Sequence, residues 1–186
     1  MKSPTTSLAP ALALVFASTI AGCASTTSGK TTRADSNQAA QAFEMLKSLA
    51  GSWHGTSKAG EQTTPVDVSY EVVAGGSAVM ERLLVGTPHE MISMYHMDGE
   101  RLLMTHYCSQ GNQPRMELDS FTRSPETMAS FSFLDATNRK SPNELVMHNV
   151  RLYPIGKDQL GADWVAWVNG KPDHTANFLF SRMRAL

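Results

Sequence analysis

From Trp53 to the C-terminus the chain alternates apolar and polar residues with a period of two, and turn-forming residues interrupt it about every 8 to 12 positions. That pattern constrains the fold more than any other feature, because period two puts successive side chains on opposite faces of a strand. About ten strands fit between Trp53 and Arg184. Ala74-Gly75-Gly76, Asp98-Gly99 and Asn169-Gly170 supply the positive φ of tight hairpins. Sequential hairpins give an up-and-down order, and closing the sheet removes the exposed edges that an open one would leave. The fold class expected is all-β: a ten-stranded antiparallel up-and-down barrel.

One helix precedes the strands. Asn37 to Ala50 carries Phe43, Met45, Leu46 and Leu49 at helical spacing, with Ser36 as the expected cap and Gly51 as the stop. It is expected to close the end of the barrel that holds the Asp98-Gly99 turn.

The N-terminal residues have a different character. Lys2, an apolar run from Leu8 to Ile20 too short to span a bilayer, and Ile20-Ala21-Gly22-Cys23 have the form of an export signal. They resemble bacterial lipoprotein signals, in which the cysteine is acylated and becomes the new N-terminus. The resemblance implies that residues 1–22 are a signal peptide, that Cys23 carries the lipid, and that Ala24 directs the protein to the outer membrane. Acyl chains hold a protein on a membrane surface at roughly 0.8 kcal/mol per buried methylene. Residues 23–38 hold almost no large apolar side chain and are expected to form a flexible tether. Residues 39–186 then form a single barrel domain facing the periplasm. With 16 Lys and Arg against 17 Asp and Glu, the absence of a basic stripe argues against nucleic acid as a partner. If Cys23 is lipidated, Cys108 has no intramolecular partner and remains a free thiol.

The segment Gly51-Ser52-Trp53-His54-Gly55 resembles the G-x-W start of calycin-like barrels, a group that includes lipocalins, fatty-acid-binding proteins and nitrobindin-like haem proteins. More closely, Ala74 to Ala78 (AGGSA), Gly86 to Met91 (GTPHEM), Thr105 to Cys108 (THYC) and Gly111 to Met116 (GNQPRM) resemble secreted bacterial proteins of unassigned function. The resemblance spans nearly the whole domain. It implies a barrel and gives no activity.

The stretch from Thr87 to Met116 concentrates the polar chemistry, with three of the six histidines and Cys108. If Met97-Asp98-Gly99 is a three-residue loop, Ile92, Met94 and His96 share a face with Leu102, Met104, His106 and Cys108. That register separates apolar from polar residues best and sends His96, His106 and Cys108 inward. His96 lies on the order of 20 Å from His106, at about 3.3 Å per residue, which excludes one shared metal. His106 and Cys108 lie about 7 Å apart on one face. His148 is expected to join them from the strand Glu144 to Tyr153. His89 and Arg115 are expected at the mouth, where Arg115 either clamps a ligand anion or forms a surface ion pair.

The candidate pocket is therefore His89, His106, Cys108, Arg115 and His148, binding a small, partly apolar ligand in the lumen. The alternatives are a hydrolase or isomerase using His106, Cys108 and His89, with Glu90 beside His89 as a further acid/base group, and an envelope interaction module without a cavity. Zinc on His106, Cys108 and His148, or haem, suits these residue types, but no motif selects either.

Overall fold

The computed structural model describes Met1, residues 33–123 and residues 126–184. The expected signal peptide, Cys23 and the tether up to residue 32 lie outside the described residues.

Helix α1 runs from Ser36 to Ser48. Its cap is Asp35 rather than Ser36: Asp35 Oδ1 accepts from the Gln38 backbone N–H at 2.8 Å, and Gln38 Oε1 accepts from the Asp35 N–H at 3.0 Å. The reciprocal pair decides the position, because Asp35 has Gln three residues on whereas Ser36 has Ala39, which cannot reciprocate. The last three residues assigned to the tether are thus helical. At the other end, Trp53 Nε1 donates to the Leu49 carbonyl at 2.9 Å, and Arg182 donates to the Ser48 and Ala50 carbonyls at 3.0 and 2.8 Å. These bonds satisfy acceptors that a helix end leaves free. The Arg182 guanidinium lies 4.0 Å over the Trp53 ring.

Ten strands follow: β1 (Gly51–Ala59), β2 (Gln62–Val73), β3 (Ala78–Leu83), β4 (Met91–Asp98), β5 (Arg101–Tyr107), β6 (Gln113–Thr122), β7 (Met128–Thr137), β8 (Val146–Ile155), β9 (Gln159–Val168) and β10 (Lys171–Arg182). Each pairs antiparallel with its chain neighbours, and β1 pairs with β10, which closes the barrel. Asn169 and Gly170 both take positive φ between β9 and β10, as a two-residue hairpin of this kind requires. Helix α1 buries Ala39, Ala42, Phe43, Met45 and Leu46 in the same core as Trp53, Phe121 and Phe180. Gln38 Nε2 donates to the Phe121 carbonyl at 3.0 Å. The helix closes the end that carries the β2–β3, β4–β5, β6–β7 and β8–β9 turns, and the other five connections form the opposite mouth.

The β4–β5 register differs from the expected one. Asp98 pairs with Arg101, so the loop is Gly99-Glu100, with Gly99 at φ 61°. Ser93 now faces His106, Tyr95 faces Met104, and Met97 faces Leu102 across the inner surface. His96 pairs with Leu103 on the outer face. The physical reason is that the interior accepts polar residues here by pairing them with one another, so sorting faces by hydrophobicity alone sends Ser93 and Tyr95 to the wrong side.

Candidate functional site

The inner face carries one continuous polar row across four strands. Tyr70 of β2 is the Cα partner of Glu81 on β3, Glu81 of Ser93 on β4, and Ser93 of His106 on β5. Residues opposite one another in antiparallel strands share a face with their Cβ atoms about 5 Å apart, so the row is fixed by register alone. Tyr95, two residues along β4 from Ser93, joins it.

Hydrogen bonds join the row in two groups. Tyr70 Oη donates to Glu81 Oε1 and Tyr95 Oη to Glu81 Oε2, each at 2.8 Å. Ser93 Oγ lies 3.0 Å from His106 Nδ1. Glu81, Ser93 and His106 are each at most 1% exposed. Burial raises the Glu81 pKa, and the hydroxyls of Tyr70, Ser93 and Tyr95 oppose that rise by stabilising the carboxylate. Burial beside this carboxylate also raises both tyrosine pKa values well above the ordinary phenol. His106 has its pKa lowered to about 4 by desolvation, so its ring is neutral near pH 7.

The row ends on two unmet nitrogens. The His106 ring lies 4.6 Å, centroid to centroid, from the Trp164 ring of β9. Among the described residues neither His106 Nε2 nor Trp164 Nε1 has a hydrogen-bond partner, although both atoms are buried. A buried polar group left unpaired costs about 1–3 kcal/mol, and native interiors seldom tolerate it.

The remaining expected site residues are dispersed. Cys108 is buried on the inner face of the chain leaving β5, where its N–H donates to the Asn112 carbonyl at 3.1 Å. Burial raises the Cys108 pKa, the opposite of what activates a thiol nucleophile. His89 is exposed in the β3–β4 loop. Its neighbour Glu90 accepts from Arg82 Nε and Nη2 at 2.8 and 2.7 Å and from the Gly86 N–H at 2.9 Å. The Gly86 N–H foremost, and then Arg82, lower the Glu90 pKa, so this carboxylate is engaged as an ion-pair partner rather than as an acid/base group. Arg115 is exposed and forms a two-pronged pair with Asp135, its Nε 2.7 Å from Oδ1.

His148 takes its ring contacts from residues other than His106. It is the bulged residue of β8, between Met147 and Asn149, and its ring stacks between Phe133 at 4.6 Å and Trp167 at 3.8 Å. Phe133, His148, Trp167, Arg139 and Glu144 help to line a cavity of about 190 Å³. Among the described residues no three His, Cys, Asp or Glu side chains come together as a metal-binding group, so the zinc set His106, Cys108 and His148 is not assembled.

Tyr70, Glu81, Ser93, Tyr95 and Trp164 were not among the residues expected from the sequence. The usable signal was Glu81, which shares a period-two face with Val79 and Leu83. A lone acid on an apolar face must find partners within the barrel.

With this geometry in hand, comparison with solved structures finds the same architecture in Rv2717c from M. tuberculosis. The match has a TM-score of 0.55 at 15% identity and covers 77% of this chain and 98% of that one. The likeness is one of fold. No protein-family model matches the sequence, and no curated protein matches it.

Proposed function

We propose that this protein is a lipid-anchored barrel of the bacterial cell envelope that binds a small, largely apolar molecule in its lumen at the His106–Trp164 pair. The observation that carries the reading is the pair of buried, unpartnered nitrogens at the end of a fully buried polar row. A group bound between them would remove the cost of leaving both unpaired, and the surrounding Met104, Met116, Phe131 and Val150 would supply apolar contact. The barrel architecture, shared with Rv2717c, is compatible with such a site. A catalytic role for His106, Cys108 and His89 has less support, because the thiol is disfavoured as thiolate and His89 is exposed on a loop.

Native mass spectrometry of protein purified from its own host tests the reading. The expected result is an excess mass that is released on denaturation and is absent from His106→Ala purified in parallel. A bare mass in every preparation overturns it. The anchor is tested separately: acyl chains on Cys23 are expected in the N-terminal peptide, and Cys23→Ser should leave the membrane fraction.

A further inference from the structure

We propose that the cavity lined by Phe133, His148 and Trp167 binds a small zwitterion, with a methylated ammonium against the aromatic rings and a carboxylate against Arg139. Neither His106 nor Trp164 lines this cavity, so the inference is independent of the luminal reading.

The aromatic lining is built around a bulge. The β8–β9 register shifts between Met147 and Asn149, and His148 is the extra residue. A bulge re-aims the side chain it carries. Here the ring lies between Phe133 of β7 and Trp167 of β9, inclined only 16° and 9° to them. Phe133 and Trp167 each keep a ring face that His148 does not cover. The face of an aromatic ring is its electron-rich side and attracts a cation within about 6 Å, tryptophan most strongly. The cavity of about 190 Å³ equals about six waters at roughly 30 Å³ each, which is room for one small molecule and not for a long chain.

Two opposite charges complete the lining without pairing with each other. Arg139 Nη2 donates to the Pro142 carbonyl at 2.5 Å, and among the described residues its guanidinium has no carboxylate partner. Glu144 Oε1 accepts from Asn112 Nδ2 at 3.0 Å and Oε2 from the Lys140 N–H at 2.8 Å, both neutral donors. Asn112 foremost, and then the Lys140 and Ser141 N–H groups and the Arg139 charge, lower the Glu144 pKa, so the group is a carboxylate near pH 7. Each charge is thus held in place by uncharged atoms and left without a counter-ion. A lone anion would meet Glu144 and a lone cation would meet Arg139, like charge against like. A zwitterion meets each with its opposite. Its cationic end is best methylated, because both Glu144 oxygens already accept from the protein and ring faces are weak acceptors. A trimethylammonium has no N–H to leave unpaired. The rest of the Arg139 fork suits a carboxylate in a two-pronged pair.

Glycine betaine, 3,3-dimethylbutanoate and tetramethylammonium test this in the 15N-labelled full-length protein. The second has the shape of the first with carbon in place of nitrogen, and the third keeps only the cation. The readouts are the Trp167 indole N–H resonance, assigned with Trp167→Phe, and the Gly170 amide, both from residues that line the cavity. Glycine betaine is expected to shift them at about tenfold lower concentration than either of the other two. Arg139→Gln should remove its advantage over tetramethylammonium, and Glu144→Gln its advantage over dimethylbutanoate, each a loss of about tenfold. Arg139 is exposed, so its variant keeps the test decisive even where Glu144→Gln fails to fold. Equal binding of the three, tighter dimethylbutanoate, or an advantage unchanged in Arg139→Gln overturns the zwitterion. No saturable shift of either resonance overturns the site itself. Every one of these outcomes leaves the luminal reading to its own test.

Discussion

His106 and Glu81 flank Ser93 in the same interior and respond to burial in opposite ways. His106 is neutral when folded, with its pKa lowered to about 4 from an ordinary 6.5. Its contribution to stability is therefore complete above pH 6.5 and is lost as pH falls towards 4, because the unfolded chain takes up the proton first. The shift corresponds to about 3 kcal/mol. Glu81 has a raised pKa, so its contribution is present at acid pH and is lost as pH rises through that raised value. Urea denaturation from pH 7 to 4 should show the native protein losing about 3 kcal/mol relative to His106→Gln. A pH dependence identical in the two proteins would show that His106 is already solvated. Glu81→Gln should remove the opposing gain on acidification and steepen the loss.

At the scale of elements, β1 is shaped by two contacts that no local propensity encodes. Its Trp53 closes the helix end and stacks beneath Arg182. Its Gly55 faces Phe180 of β10 so closely that a Cβ there would lie 2.0 Å from the Leu179 carbonyl oxygen and 2.7 Å from the Phe180 Cα. Backbone cannot swing aside as a side chain can. Gly55→Ala should therefore cost about 3 kcal/mol in urea denaturation, at the upper end of overpacking effects, by prising β1 from β10 where the barrel closes. A loss below about 1 kcal/mol would mean that this closure is looser than its geometry. Gly161 is the milder counterpart, because the group above it is the Tyr153 ring, a side chain, held at its tip by Asp163 at 3.1 Å.

For the whole molecule, the closure of the barrel is uneven. β6 and β7 pair over nearly their full length, from Gln113↔Thr137 to Thr122↔Met128. β6 pairs with β5 only from Leu103↔Glu117 to Thr105↔Arg115, and β7 with β8 only from Ala129↔Leu152 to Ser132↔Asn149. The β6–β7 hairpin is thus a panel bounded by two short seams, one of them on β5, which carries His106. Short seams open at lower free energy than long ones. Native-state hydrogen exchange should show the amides of both seams exchanging together and before those of β9–β10, whose register runs from Lys171↔Val168 to Ser181↔Gln159. Uniform protection around the barrel would show that the two seams are no weaker than the rest.

The strand count, the up-and-down order, the mouth loops and the capping helix were legible in the sequence, because period-two alternation and Gly-containing turns are local signals. Helix capping was legible to within a residue, since Asp35-x-x-Gln38 is written in the chain. Within the β4–β5 hairpin the sequence identified His106 and Cys108 as inward-facing but also assigned His96 to that face, because it ranked faces by apolar content. Only the tertiary structure could place Tyr70, Glu81, Ser93 and His106 in one row, since each lies on a different strand and becomes a neighbour only through register. The opposition of His106 and Trp164 needed closure as well. Their rings come within 4.6 Å, centroid to centroid, only because β9 is brought round to face β5, and no pattern along either strand records that distance.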